Sequence, residues 1–363
     1  MSAALRAARE GTLASPAERA SIDAFADANR EVLNLVRSAT DAPFDGFRLP
    51  PRFRYAPVHQ LSWVLTAEVL TRVGLGDGDR ALEHIADLVA LRRAGSDSAY
   101  GLLAGDASFE RIGLLTSVTL ADGAPSRDAV ARLASRLEYE LDEANALADA
   151  YRLDRASFID DLWQWIRQRR PLGGSGRLAE FALRPAYRSR ANEHLLRMDA
   201  LVNAAERPGW PDRLAEIERL GSPPPDLDPQ ALPIGLVYRP TRLLAAGFYV
   251  EVARAHARQT TLQGVLRTVL DVDEFRQLNG RLPETLTELA GAAHGDPLAA
   301  TRLRYRPEDD GYVVYGVGHN GQDDGGDLGE LNPFGIGWSV PAADSPDWGV
   351  RVRLPAAASA QAN

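Results

Sequence analysis

The chain has no cysteine and no lysine among its 363 residues. Without cysteine there are no disulfides, no thiolate metal ligands and no cysteine nucleophile. Without lysine, Schiff-base chemistry and the lysine clasp of a P-loop are excluded. The 41 basic residues are all arginine, and 50 acidic residues outweigh them to give a net charge of -9. That balance argues against a general binder of nucleic acid or anionic membrane. A run of about 18 apolar residues, the minimum for a spanning helix, is also missing. The opening "MSAALRAAREGTLASPAERAS" lacks the hydrophobic region of a signal peptide. The six histidines, His59, His84, His194, His256, His294 and His319, are scattered. They form no H-E-x-x-H or H-x-H pair, so zinc hydrolase chemistry has no support. There is no G-x-S-x-G elbow and no G-x-G-x-x-G after a strand, and "PLGGSGR" reads as a linker.

What is present is ordinary for a packed protein: 45% hydrophobic and 25% charged residues, in a chain long enough for two domains. The spacing predicts a helical domain over 1–220. In "SPAERASIDAFADANREVLNLVRSA", Ser15 stands as N-cap with Pro16 at the first helical position. The three prolines of "RLPPRFRYAP" predict a break. Two amphipathic segments, 58–75 and 79–95, then flank "GDG" and read as an antiparallel helical hairpin resembling one tetratricopeptide-type unit. Further helices are expected over about 98–121, 126–142, 143–169 and 187–220. A proline-rich connector, 221–240, leads to an α+β module over 241–363. There a long helix to about Leu278 stops at Asn279-Gly280, and a short helix follows Pro283. The strand-like pieces "RLRYRP", "YVVYGVG", "FGIGWSV" and "GVRVRLP" come next, with "EDDG" turning the first pair. The expected class is therefore mainly α: a bundle or irregular helical-hairpin array followed by a long helix on a small antiparallel sheet.

The stretch "TTLQGVLRTVLDVDEFRQLNGRLPETLTELA", then "DPL" and "LRYRPEDDGYVVYGVGHNGQDDGGD", resembles the C-terminal part of type II secretion major pseudopilins. That family runs from a long helix through an N-G-x-[YL]-P segment and an Asp-Pro turn to a tyrosine-rich hairpin and a loop of glycines and aspartates. The match covers about residues 258–327. The whole chain also resembles uncharacterised proteins of planctomycetes and other bacteria that join a tetratricopeptide-like region to such a tail. Pseudopilins begin with a prepilin cleavage site and an apolar membrane helix. Here the long helix lies deep in the chain behind the amphipathic "RLLAAGFYVEVARAHARQ", so the tail reads as a soluble module and not as a filament subunit. The resemblance implies a cell-envelope location; without a leader segment the cytoplasm is the other expectation.

In "HNGQDDGGDLGE", Asn320, Asp323, Asp324 and Asp327 supply the hard oxygens that calcium prefers. The glycines let the backbone turn sharply. Many major pseudopilins bind calcium in the corresponding loop, so the resemblance points the same way, although the spacing is not that of an EF-hand. An Asx-rich surface turn with nothing bound fits the same residues. Asp344 or Asp347 stands close enough in sequence to add a ligand. His319 would act as a general base only with a carboxylate in hydrogen-bond reach. "DDLWQ" weakly resembles the aspartate-rich helix of class I terpene synthases, with Asp160 and Asp161 as magnesium ligands for a diphosphate. The motif lacks its third acidic residue. "DVDEF", 271–275, reads as a solvated helix face. Of Trp163 and Trp165, two apart, one is expected to face the core. The expectation is a non-enzymatic interaction or scaffold protein, envelope-associated, with a calcium-stabilised tail and a protein or peptide partner. The alternative is a helical magnesium-dependent enzyme acting on an anionic substrate.

Overall fold

Ser15 opens the first helix by reciprocal capping. Its Oγ accepts the Glu18 amide at 3.4 Å, and its own amide donates to Glu18 Oε2 at 2.9 Å. Two orphan donors of the helix start are thereby satisfied. The computed structural model describes residues 5, 15–40, 51–93, 99–141, 146–168, 174–221, 246–289, 294–299, 301–328 and 347–355; several helical stretches, 161–168 and 174–188 the longest, are described by backbone alone. The chain is mainly helical with a small antiparallel module. The helices are α1 (Pro16–Ala28), α2 (Arg30–Thr40), α3 (Pro51–Gly74), α4 (Gly78–Arg93), α5 (Ala99–Asp122), α6 (Arg127–Leu141), α7 (Ala146–Gln168), α8 (Gly174–Ala205), α9 (Trp210–Gly221) and α10 (Ala246–Asn279). Five strands follow: β1 (Gly295–Asp296), β2 (Thr301–Arg302), β3 (Arg304–Glu308), β4 (Gly311–Gly316) and β5 (Trp348–Arg353).

Five local expectations are corrected. Helix α8 starts at Gly174, inside the stretch 171–177 that read as a linker. Helix α3 starts at Pro51 and runs through Pro57, so the proline cluster opens a helix where a break was expected. Pro51, at the first helical position, loses no bond, because that N–H has no intrahelical partner, whereas Pro57 lies inside the helix and forgoes one. The single helix expected over 187–220 is two. Pro208 and Gly209 (φ +80°) end α8, and Arg213 Nη2 donates to the Arg207 carbonyl at 2.9 Å, satisfying an acceptor near that end. After Pro283 the described residues form a 3-10 turn, Leu286–Glu288, where a short helix was expected. "DVDEF" is not a solvated face: the Asp273 side chain is 0% exposed and takes Arg276 and Gln277 as donors. "FGIGWSV" lies outside the described residues, as does most of the connector 221–240.

The α3–α4 hairpin turns at Gly76 (φ +70°), as the glycine pattern predicts. Its core face shares one buried apolar cluster with α5, α6, α10 and the sheet. Helix α10 joins the two parts. Leu262, Val265, Leu266, Val269 and Leu270, all at most 3% exposed, recur at helical spacing between α5 and α6 on one side and the sheet on the other. Each such side chain stabilises by about 1.5–3 kcal/mol. Polar ties cross the same cluster. Arg111 lies 3.8 Å above the Trp63 ring and donates to Ser62 Oγ at 2.9 Å, while Arg92 donates to Gln259 at 2.8 Å. A second cluster gathers α7, α8, α9 and the first turns of α10 around Tyr151 and Tyr249.

The larger sheet has the order β3-β4-β5, all antiparallel. Glu308 pairs with Gly311 across Asp309-Asp310, the turn read from "EDDG". All six residues of β4 are buried. Tyr312 and Val314 face α10 within the large cluster, so Val313 and Tyr315 face the opposite side.

Candidate functional site

The glycine- and aspartate-rich loop covers that opposite face. Gly326 (φ +80°) sits so close that a Cβ there would meet Tyr315 at 3.1 Å and Val313 at 3.2 Å. Arginines of the strands fasten it: Arg351 Nη2 donates to the Gly326 carbonyl at 3.0 Å and Arg306 Nη1 to the Gly325 carbonyl at 2.5 Å.

At its start the loop is tied to Asp296, the aspartate of the Asp-Pro turn, which is 1% exposed. Asp296 Oδ1 accepts the Leu298 amide at 3.1 Å, and Oδ2 accepts the Val317 amide at 2.8 Å. Arg304 touches Asp296 Oδ2 at 3.3 Å and donates through Nε to Asp323 Oδ2 at 2.8 Å. Asp323 Oδ1 accepts the Gly325 amide at 3.0 Å. Desolvation alone would raise the Asp323 carboxyl, but that amide and the Arg304 charge hold it below the usual range. Asn320 donates to Asp324 at 2.9 Å and accepts from the Gln322 amide at 2.9 Å. Asp327 is exposed and lines a neighbouring cleft. Of the four sequence-predicted ligands, Asn320 and Asp324 come together, Asp323 is engaged by Arg304, and Asp327 lines the neighbouring cleft. Among the described residues, no three of His, Cys, Asp and Glu gather as a metal-binding group.

Asp347, which sequence proximity had raised, is 1% exposed. Its Oδ2 accepts the Gly326 amide at 2.8 Å, and its Oδ1 has no hydrogen-bond partner. Burial raises its carboxyl, the nearby charges of Asp323 and Asp324 add to that, and the Gly326 and Asp324 amides oppose it. Asp344 lies outside the described residues.

His319 does have a carboxylate in reach. Its Nε2 is 3.3 Å from Glu218 Oε1 on α9, and Arg254 of α10 donates to that same oxygen at 2.9 and 3.1 Å. Burial lowers the imidazole, as does Arg254, while Glu218 opposes. The His319–Glu218 contact docks the loop onto the helices. Sequence reasoning missed Asp296, Arg304 and Glu218, because each acts through a partner distant along the chain. Asp160 is exposed on α7, and the side chains of Asp161, Trp163 and Trp165 lie outside the described residues.

Beside the loop, a cleft of about 410 Å³ opens where the helical part meets the sheet. Leu114, Val118 and Ala121 of α5, Leu262 of α10 and Val350 of β5 give it apolar walls. Glu110, one of its lining residues, is paired with Arg258, and Asp122, Asp327 and Asp347 are its other acidic residues. No described helix is long and apolar enough to cross a membrane. No protein-family model, curated protein or solved structure matches the chain.

Proposed function

We propose that this chain is a non-enzymatic interaction or scaffold protein, envelope-associated, with a pseudopilin-like C-terminal module that calcium stabilises. The observation that carries the interaction reading is the cleft at the junction. It is made jointly by α5 and α10 and by the sheet, it has the size of a ligand site, and it mixes apolar walls with carboxylates as docking surfaces do. The calcium reading rests on the resemblance and on the donors: Asn320, Asp323, Asp324 and Asp327 offer only hard oxygens, which suit calcium and not a soft metal. Bound there, the ion would neutralise adjacent aspartates and order the loop over Val313 and Tyr315.

Two measurements test the two halves separately. Thermal unfolding with chelator and across a calcium titration should show a midpoint that rises with calcium in the wild type and not in Asp323→Ala or Asp324→Ala; no wild-type shift at millimolar calcium removes the metal. A selection of random displayed peptides against the immobilised chain should enrich binders, and a selection that enriches none overturns the interaction reading.

A further inference from the structure

The sequence holds two Asn-Gly pairs, and the fold treats them differently. Asn279-Gly280 ends α10. There the Gly280 amide donates to the Arg276 carbonyl at 2.8 Å, and Asn279 Nδ2 donates to the Phe275 carbonyl at 2.9 Å. Asp273 fixes the same turn by accepting from Arg276 and Gln277. Asn320-Gly321 instead lies in the aspartate loop. The Gly321 amide makes a turn bond to the Gly318 carbonyl at 3.0 Å. Gly321 is exposed, holds φ +67°, and a Cβ built on it meets nothing within 4 Å. Asn320 is held by its side chain: Oδ1 accepts the Gln322 amide at 2.9 Å, and Nδ2 donates to Asp324 Oδ2 at 2.9 Å. The first bond draws electrons from Cγ, and the second fixes the nitrogen that a substitution at Cγ would expel.

Glycine after asparagine leaves the next backbone nitrogen unshielded, because no side chain covers it. In a loop that nitrogen can turn onto Cγ once its turn bond opens locally, whereas in a helix the last turn must unwind first. We infer that Asn320 is a site of spontaneous covalent modification, deamidated by the Gly321 nitrogen to aspartate and isoaspartate. The Gly321 nitrogen bonds to Cγ of Asn320 and gives up its proton. The Cγ–Nδ2 bond breaks, and Nδ2 leaves with that proton as ammonia. One water then opens the resulting succinimide. Attack at Cγ leaves an aspartate side chain on the original backbone. Attack at the backbone carbonyl leaves isoaspartate, with the chain rerouted through Cγ. Water is the only co-reactant, and no electrons are exchanged.

The product alters the loop. Nδ2 is the donor to Asp324, and an oxygen in its place sets two carboxylates face to face, which Coulomb repulsion penalises. Conversion adds a fourth carboxylate to Asp323, Asp324 and Asp327, while Arg304 is already engaged by Asp323 and Asp296. Isoaspartate also lengthens the backbone of a loop whose Gly326 lies against Tyr315 and Val313. A chain that has aged at Asn320 therefore carries a looser loop over β4. Neither calcium nor the junction cleft enters this chemistry.

The test is incubation of the folded full chain at physiological temperature and mildly alkaline pH, then arginine-specific digestion and tandem mass spectrometry. Arg281 and Arg302 put the two Asn-Gly pairs in different peptides. Asn320 should gain about 1 Da, with ammonia released and isoaspartate recovered. Asn279 should convert at least about tenfold more slowly, because its helical turn must open first. In guanidinium chloride the two rates should converge, since the local sequence is the same and only the fold separates them. Gly321→Val should slow conversion at position 320 about tenfold or more, its branched Cβ blocking the nitrogen. Asn320 keeping its mass in the folded chain while the denatured chain converts overturns the proposal, and so does Asn279 converting first. A Gly321→Val chain that converts as fast as the wild type overturns the assigned nucleophile. Asn320→Asp supplies the charge directly, and its thermal midpoint in chelator should lie below that of the wild type; an equal midpoint overturns the loosened loop. The calcium titration reads a different quantity, so loss of the metal reading leaves the mass gain at Asn320 expected as before.

Discussion

Arg304 donates to Asp323 at 2.8 Å while its Nη1 touches the buried Asp296 at 3.3 Å. One guanidinium thus links the Asp-Pro turn to the aspartate loop, and the loop's self-repulsion is relieved by protein charge. Removing one partner of a buried pair costs up to about 3–5 kcal/mol. Asp296 would keep its amide donors, so Arg304→Ala is expected to cost about 2–3 kcal/mol in urea unfolding. Because Asp323 is released, calcium should raise the midpoint more in this variant than in the wild type. A variant as stable as the wild type would show that the linkage is decorative.

Gly113 sits in the middle of α5, where alanine ordinarily stabilises by about 1 kcal/mol. Here a Cβ would lie 2.9 Å from Val350 Cγ2, and valine has little rotamer freedom to withdraw. Overpacking costs about 1–3 kcal/mol and should win. Gly113→Ala is expected to lower the thermal midpoint, and Gly113→Ala with Val350→Ala should not add the two single losses.

Two buried groups set opposite pH limits. Burial raises Asp154 to about 6, against the amide of Ala99 that opposes it. A raised carboxyl contributes stability that is full below its unfolded value and is lost as pH climbs through about 6. Asp154→Asn should therefore gain on the wild type above that pH, by at most about 2–3 kcal/mol. His256 is pushed down to about 3 by burial, with the Arg92 charge adding to it. Its contribution is full above about pH 6.5 and is lost as pH falls towards 3. His256→Gln should flatten the acid limb of a pH–stability curve and leave the alkaline limb alone. A variant whose acid limb keeps the wild-type slope would remove His256 as its source.

Local chemistry was readable in the sequence. The Ser15 cap, the turn at Gly76, the stop at Asn279-Gly280 and the Glu308–Gly311 hairpin each rest on neighbours a few residues apart, where propensity and turn geometry decide. What escaped needed tertiary register. Asp273 read as solvated because α10 is packed by α5, α6, α9 and the sheet at different levels, which erases the one-sided periodicity that separates a buried face from a wet one. The loop read as a set of calcium ligands or a bare turn because its acidic residues lie close together in sequence, while Arg304, Arg306 and Arg351, which hold it, arrive from strands. His319 could not be matched to Glu218, 101 residues earlier.

The proline-rich connector marks a domain boundary in composition, but the buried cluster crosses it. Leu65, Leu82 and Leu115 from the helical part belong to the same cluster as Leu266, Tyr312 and Val352. Inter-domain surfaces that move independently are small and polar, and this one is apolar on both sides of α10. Unfolding either part would expose the other's core, so the two should melt together. Scanning calorimetry of the full chain is expected to give one transition whose calorimetric and van't Hoff enthalpies agree, and Leu266→Ala on α10 should lower it as a unit, by about 2–5 kcal/mol. Two resolved transitions, only one of them shifted by Leu266→Ala, would restore the boundary that the prolines imply.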